Sequence, residues 1–333
     1  MMHLGRLFIV FVTIEICASA SHFLDQEWNA WKIKYEKSYK QSQDERFRRT
    51  AWEANWEKVQ KHNELAGQGL KKYQLAMNQF ADMTAEDVQS KSCLVYNKSS
   101  LKSSEVPNQI YSENVNIPKD VDWRKSKCVT PVKDQGGFCG SCWAFATVGV
   151  IESRLCMNSD ELINLSEQQL VDCDSSNYGC CGGFPIKALN YVAENGIMKT
   201  KNYEYAQKRL KCEYDPDEAI QLNATKFYIL PDEQNIATAV AMEGPITVGF
   251  GVTGDFMLYK KGVFDGDCAP YANHAVIIVG YGTEENEDGE EEEYWLIKNS
   301  WGERWGDEGY GKIKRNVNKC HIADMAATID LRG

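Results

Sequence analysis

Histidine is scarce in this chain, with five in 333 residues: His3, His22, His62, His274 and His321. One C-x-x-C pair is present, Cys139 and Cys142, which on its own reads as a redox dithiol or half of a zinc site. Neither fits well, because no second C-x-x-C and no nearby His completes a tetrahedral set. Basic tracts are also missing. The formal net charge is −11, and residues 284–293 hold eight acidic side chains and no basic one, so all other residues sum to −11 + 8 = −3. The charge therefore reads as a local solvated loop, a tolerated hairpin insertion in preference to a partner-binding acidic patch. Nothing basic or interleaved with aromatics points to nucleic acid. No apolar run reaches the length of a membrane span. The run from Leu7 to Ile16 is short, carries Glu15, follows Arg6 and precedes Ala18-Ser19-Ala20, which reads as a secretory signal peptide and not an anchor. Secretion permits disulfides, and twelve cysteines suit an oxidising compartment.

What the sequence does offer is concentrated in QGGFCGSCWAFATVGVI, Gln135 to Ile151. Ser141 is a good N-cap residue, and the apolar run Trp143 to Ile151 is too long for a buried strand and suits a buried helix. Cys142 then stands in the first turn. Unpaired N–H groups and the positive end of the helix dipole favour a thiolate there, the nucleophilic form of cysteine.

Cys139-Gly140-Ser141-Cys142-Trp143 resembles the active-site signature of papain and the cathepsins. His274 in NHAVIIVGYG and Asn299 in YWLIKNSWG stand far downstream in contexts that match the same family. The resemblance implies an α+β, papain-like two-lobe fold, a helical lobe plus an antiparallel β-barrel-like lobe, preceded by a helical pro-segment. It implies Cys142 as nucleophile, His274 as its acid and base, and Asn299 accepting the imidazole's other N–H, with Trp301 covering that bond from water. Gln135 and the Cys142 N–H would supply the oxyanion donors. Gln135 precedes the nucleophile by seven residues, one more than in papain, through Gly136-Gly137-Phe138, and the glycines can absorb the extra residue. Gly182, Gly183 and Trp301 are expected at the substrate, and Phe184, Pro185, Gly249, Ala272 and Met325 around the side chain one residue before the scissile one. All five of those are apolar, which implies Leu, Phe or Val there over Arg. By the same resemblance Cys139 pairs with Cys180, Cys173 with Cys212 and Cys268 with Cys320. Cys128 with Cys156 is a further guess, and Cys181, where relatives often have Asn, could mispair with Cys139. His321 is read as a surface residue.

Before the signature the composition shifts to Lys, Gln and Glu and holds four of the nine tryptophans. Trp28, Trp31 and Tyr35 share one helical face and Trp52, Trp56, Val59 and Asn63 another, so two helices are expected to cross through aromatic contacts. Tyr73, Leu75 and Met77 alternate as in a strand. Asp44, Arg48, Trp52, Asn55, Val59 and Asn63 fall on the interspersed ERFNIN pattern of cathepsin L-like pro-segments, with Asp44 for Glu. Ala76 to Asp82 resembles the second motif. Lys98 to Glu105 reads as a Ser and Lys-rich linker, and the mature start is placed between Glu113 and Ile117. The expected divisions are residues 1–20, signal peptide; 21–113, inhibitory pro-segment; and 114–333, protease domain, helical from Val121 to about Tyr214 and strand-rich from Phe227. Sequons stand at Asn97, Asn164 and Asn223. Asn164 leads into a helix N-cap and is a poor acceptor.

The reading is a secreted or lysosomal cysteine endopeptidase made as a zymogen. It is a monomer without cofactor or metal, acting on proteins and peptides, with its own pro-segment and cystatin-like inhibitors as partners. A catalytically impaired papain-like peptide-binding protein is the alternative, and it would need a substituted Cys, His or Asn. A dipeptidyl carboxypeptidase would carry a His-containing insertion, and no His lies between Cys142 and His274.

Overall fold

The computed structural model describes residues 22–90, 107–112, 115–222, 226–285 and 289–331. The expected signal peptide, Cys17, Cys93 and the sequons at Asn97 and Asn223 lie outside the described residues, as do Glu113 and Asn114 of the expected cleavage region.

Helices α1, residues 22–34, and α2, Ser42–Gly67, cross through their indoles as the spacing predicts. Trp28 stacks on Trp31 at 5.2 Å and meets Trp52 edge-on at 5.5 Å, and Trp52 stacks on Trp56 at 5.2 Å. The asparagines of α2 hold the returning chain. Asn55 Nδ2 donates to the Ala81 and Met83 carbonyls, and Asn63 both donates to and accepts from the Leu75 backbone. Strand β1 is Tyr73–Leu75, shorter than the alternation suggests, because Met77 lies past the point where the chain turns onto the main body. Helix α3, Ala85–Ser90, follows.

In the first lobe, α4 (Cys142–Ser159) is buried along most of its length, with α5 (Glu167–Cys173) and α6 (Pro185–Asn195) around it. Gly149 lets α4 approach the second lobe closely: a Cβ there would stand 2.3 Å from Ile277 Cδ1. The second lobe is built on strands β2 (Val121–Asp122), β3 (Lys226–Leu230), β4 (Ile246–Phe250), β5 (Tyr259–Phe264), β6 (His274–Glu285), β7 (Glu291–Lys298), β8 (Tyr310–Lys314) and β9 (Ala326–Asp330), with helices α7 (Glu233–Glu243) and α8 (Gly254–Met257). The sheet order is β1-β5-β8-β7-β6-β4-β9-β3, with β2 on β6. Its pairs are antiparallel except β5 with β8. The sheet stays open, with β1 and β3 as its ends, where a barrel-like closure is expected from the sequence. Helices first and strands later give the expected α+β segregation.

All three expected disulfides form, and Cys128 pairs with Cys156 as a fourth, while Cys181 is exposed and unbridged. One reading holds and one needs correction. The acidic run is the hairpin expected, with its described ends paired antiparallel, Glu284 opposite Glu292 and Glu285 opposite Glu291. Those ends belong to β6 and β7, with Glu284 on Lys312, Glu291 on Lys119, Glu292 on Lys72 and Glu293 on Arg315. His321 is half-buried, held between the Ala269 carbonyl at 3.1 Å and Asp324 at 3.1 Å. Among the described residues no helix is long and apolar enough to cross a membrane.

Candidate active site

Cys142 opens α4, as expected, and is buried outside the four disulfides. Ser141 occupies the N-cap position, but its hydroxyl does not cap the helix. The Tyr205 hydroxyl donates to the Gln135 carbonyl at 2.9 Å, so the Ser141 hydroxyl, 2.6 Å away, donates to Tyr205. The helix start is held instead by the Ser141 carbonyl, which accepts from Ala144 and Phe145.

His274 is the first residue of β6, opposite Phe250 of β4, and Asn299 follows the last residue of β7. His274 Nε2 lies 2.8 Å from Asn299 Oδ1. The Ser300 backbone N–H donates to that same oxygen at 2.8 Å, so Oδ1 is the acceptor and Nε2 carries the proton. Nδ1 is left as the basic nitrogen of a neutral ring. Trp301 stacks on the imidazole at 4.5 Å and shields the bond. Burial pushes His274 down to about pKa 4, against the Asn299 hydrogen bond, which acts upward.

Gln135 is buried and not a surface loop residue. Its backbone N–H donates to the Ser300 carbonyl at 2.9 Å, its Oε1 accepts from Ser300 Oγ at 2.7 Å, and its Nε2 reaches the Cys139 carbonyl at 3.3 Å. Gly136 turns at φ +73°, and the extra residue bulges outward at the exposed Phe138. The glycines absorb the insertion while both ends stay pinned, Cys139 by its bridge to Cys180.

Three of the expected pocket residues come together: a Cβ on Gly249 would stand 2.8 Å from Met325 Cε and 3.0 Å from Ala272 Cβ. Phe184 is buried. Pro185 begins α6. A Cβ on Gly183 would meet Trp143 at 2.6 Å, and the Gly182 carbonyl accepts from Tyr178 N–H at 3.0 Å.

Sequence reasoning missed a buried charge cluster beside Asn299. Lys133 binds both Glu152 and Glu167 at 2.6 Å, and Lys298 Nζ donates to Thr130 Oγ1 at 2.9 Å. Thr130 in turn donates to Glu152 at 2.7 Å. Burial pushes Lys298 down to about 8 and raises Glu167, the latter against Lys133. These residues are scattered along the chain with no motif, and only the fold assembles them.

The N-terminal segment closes over the rim of the site. Phe80 meets Trp301 edge-on at 5.2 Å, Gln79 Nε2 donates to the Trp301 carbonyl at 2.9 Å, and Asn78 Nδ2 donates to the Met257 carbonyl at 2.7 Å. Strand β1 pairs with β5, with Tyr73 opposite Gly262. Gly262 has φ +88°, and a Cβ there would stand 2.4 Å from the Lys72 carbonyl, so this backbone approach needs glycine.

The family model described as papain family cysteine protease matches residues 117–329, and that of the cathepsin propeptide inhibitor domain matches residues 28–88. The chain belongs to the papain family of cysteine proteases. Among similar proteins, cathepsin S of Bos taurus is 40% identical over 317 residues, covering 90% of this chain and 91% of that one. Cathepsin K of Mus musculus is 37% identical over 334 residues, covering 96% and 97%. The structure of the digestive procathepsin L2 proteinase from the Tenebrio molitor larval midgut aligns at TM-score 0.84 and 37% identity, over 92% of this chain and 100% of that one. The papain-like fold and the cysteine endopeptidase activity follow, as does a zymogen organisation in which residues 28–88 form the propeptide inhibitor domain.

Proposed function

We propose that Cys142, His274, Asn299 and Gln135 carry the peptidase chemistry. The Cys142 thiol gives its proton to His274, and the sulfur attacks the peptide carbonyl. The imidazolium then protonates the leaving amine, and a water activated by His274 hydrolyses the thioester, restoring the thiol. Asn299 holds the ring with Nδ1 toward the sulfur. The Cys142 N–H and one Gln135 Nε2–H receive the developing oxyanion. The observation that carries this reading is the His274–Asn299 bond at 2.8 Å under Trp301, on the strand that α4 packs against. Phe184, Pro185, Gly249, Ala272 and Met325 form the pocket that selects an apolar side chain, with Gly182 and Gly183 along the substrate backbone. The pro-form enters the secretory pathway and is cut between Glu113 and Ile117, and the released enzyme acts in lysosomes or outside the cell.

The test is to acidify the purified pro-form and titrate it with an epoxide inhibitor, reading the adduct by mass. One adduct on Cys142 is expected, and Cys142→Ala should abolish peptide hydrolysis with secretion intact. No label on Cys142, or substantial turnover without it, would overturn the assignment.

A further inference from the structure

The open sheet has two ends, and residues preceding the protease domain cover both. At one end β1 lies on β5. At the other, β3 is met by residues 107–109. Gln109 N–H donates to the Ile229 carbonyl at 2.9 Å and Ile229 N–H donates to the Pro107 carbonyl at 3.1 Å, a parallel bridge centred on Asn108. Pro107 has no N–H to pair and suits an outermost position. Neither family model includes these residues, since one ends at 88 and the other begins at 117.

Tyr111 then turns into the protein. Its N–H donates to Asn235 Oδ1 at 2.8 Å and its hydroxyl donates to Glu243 Oε1 at 2.5 Å. Both acceptors are fixed in advance. Asn235 Nδ2 donates to Asp232 at 2.8 Å at the start of α7. Glu243, buried at the end of α7, also accepts from the Tyr228 hydroxyl and stands 3.7 Å from Arg154, which donates to Thr328 Oγ1 at 2.7 Å. A buried carboxylate is stable only with its donors in place, so a phenol O–H is an integral part of this network. Burial and the Glu243 bond raise the Tyr111 hydroxyl's pKa, keeping it a donor.

We propose that the edge of β3 together with α7 is a docking site for an extended segment carrying a tyrosine, separate from the catalytic cleft. Residues 107–112 fill it as a strap whose hold is independent of the helical body 22–90. The site reads two features: the main chain of an added strand, through Ile229, and a phenol hydroxyl, through Glu243. Main-chain pairing gives attachment and the side-chain slot gives selectivity.

The test is amide hydrogen exchange on the full chain carrying Cys142→Ala, which cannot cut itself. Tyr111→Phe should raise exchange at the Gln109 and Tyr111 amides about tenfold, leaving residues 22–90 unchanged. Trp52→Ala should do the reverse, opening 22–90 and leaving the strap protected. A strap indifferent to loss of the hydroxyl, or one that opens with the helical body in Trp52→Ala, would overturn the proposal. If Trp52→Ala yields no folded protein, Tyr111→Phe decides alone. Protection lost only from 107–112 supports the site, and protection lost from both regions or from neither refutes it.

Discussion

Residues 22–90 contain four tryptophans in mutual ring contact and no disulfide, whereas residues 115–331 contain four disulfides and the buried charge cluster around Glu152. The bridges of the protease domain close separations of 28 to 52 residues. Each is worth about 3 to 4 kcal/mol in chain-entropy terms. The pro-segment has no such restraint. Most of its ion pairs are partly exposed, as with Arg48 on Asp87 and Arg49 on Glu53, and such pairs contribute little each. One region is cross-linked and the other held by aromatic packing and docking. A protein arranged this way can lose its inhibitor without losing its enzyme.

The largest expected effect tests the braced side. Glu152→Ala leaves Thr130 and the Leu165 N–H without their acceptor and removes one of the two buried carboxylates that offset Lys133 and Lys298, and should cost about 3 to 5 kcal/mol. Thermal unfolding of the protease domain is the measurement, and an unchanged Tm would show that the cluster does not brace the lobes. On the other side, Trp52→Ala should cost the pro-segment about 3 kcal/mol or more. Proteolysis should then become confined to residues 22–90, and cutting across both regions would erase the contrast.

The two regions also differ in how far the sequence reveals them. Cys142, His274 and Asn299 stand in local contexts specific enough to be named from the chain alone. The strand-rich character from Phe227 on was legible because segments such as the fully buried Ile246–Phe250 are short and apolar. The β1–β5 pairing was not legible: three residues carry too little pattern, and their partner is remote in sequence. Helix α7 was missed although Asp232 caps it through Asn235, a start signal present in the sequence. Ser141 misled because its hydroxyl has a better partner in Tyr205, which no local rule reveals. Charge pairs such as Lys133 with Glu152 leave no local trace.

A smaller effect concerns the pocket at the lobe junction. With Gly249, Ala272 and Met325 in contact and apolar, Leu, Phe or Val should exceed Arg by at least tenfold in kcat/KM at the position before the scissile residue, about 1.4 kcal/mol. A peptide library in which Arg equals Leu would remove the pocket assignment. Smaller again is Arg48→Ala. It takes the guanidinium away from Asp87 and the Asp82 carbonyl, at about 1 kcal/mol, and should weaken inhibition several-fold without changing the Tm of the protease domain.

The contrast between the regions is tested most directly by acid titration of the Cys142→Ala pro-form, read by tryptophan fluorescence and limited proteolysis. Burial holds the His62 pKa below its ordinary 6.5, against its bond to the Tyr73 carbonyl, so folding disfavours its proton. The stability tied to His62 is complete above about pH 6.5 and falls as pH drops below it. Burial raises Asp87, but hydrogen bonds from Arg48 and Thr84 outweigh it and hold the group below 3.8. That contribution is present above the unfolded value, near pH 4, and lost as pH falls through the folded one. The account predicts that residues 22–90 begin to loosen below about pH 6.5, as His62 takes up its proton, and open to cleavage below about pH 4, as Asp87 is protonated, with the disulfide-braced domain still folded. A pro-segment that stays resistant well below pH 4, or a protease domain that unfolds along with it, would contradict the account.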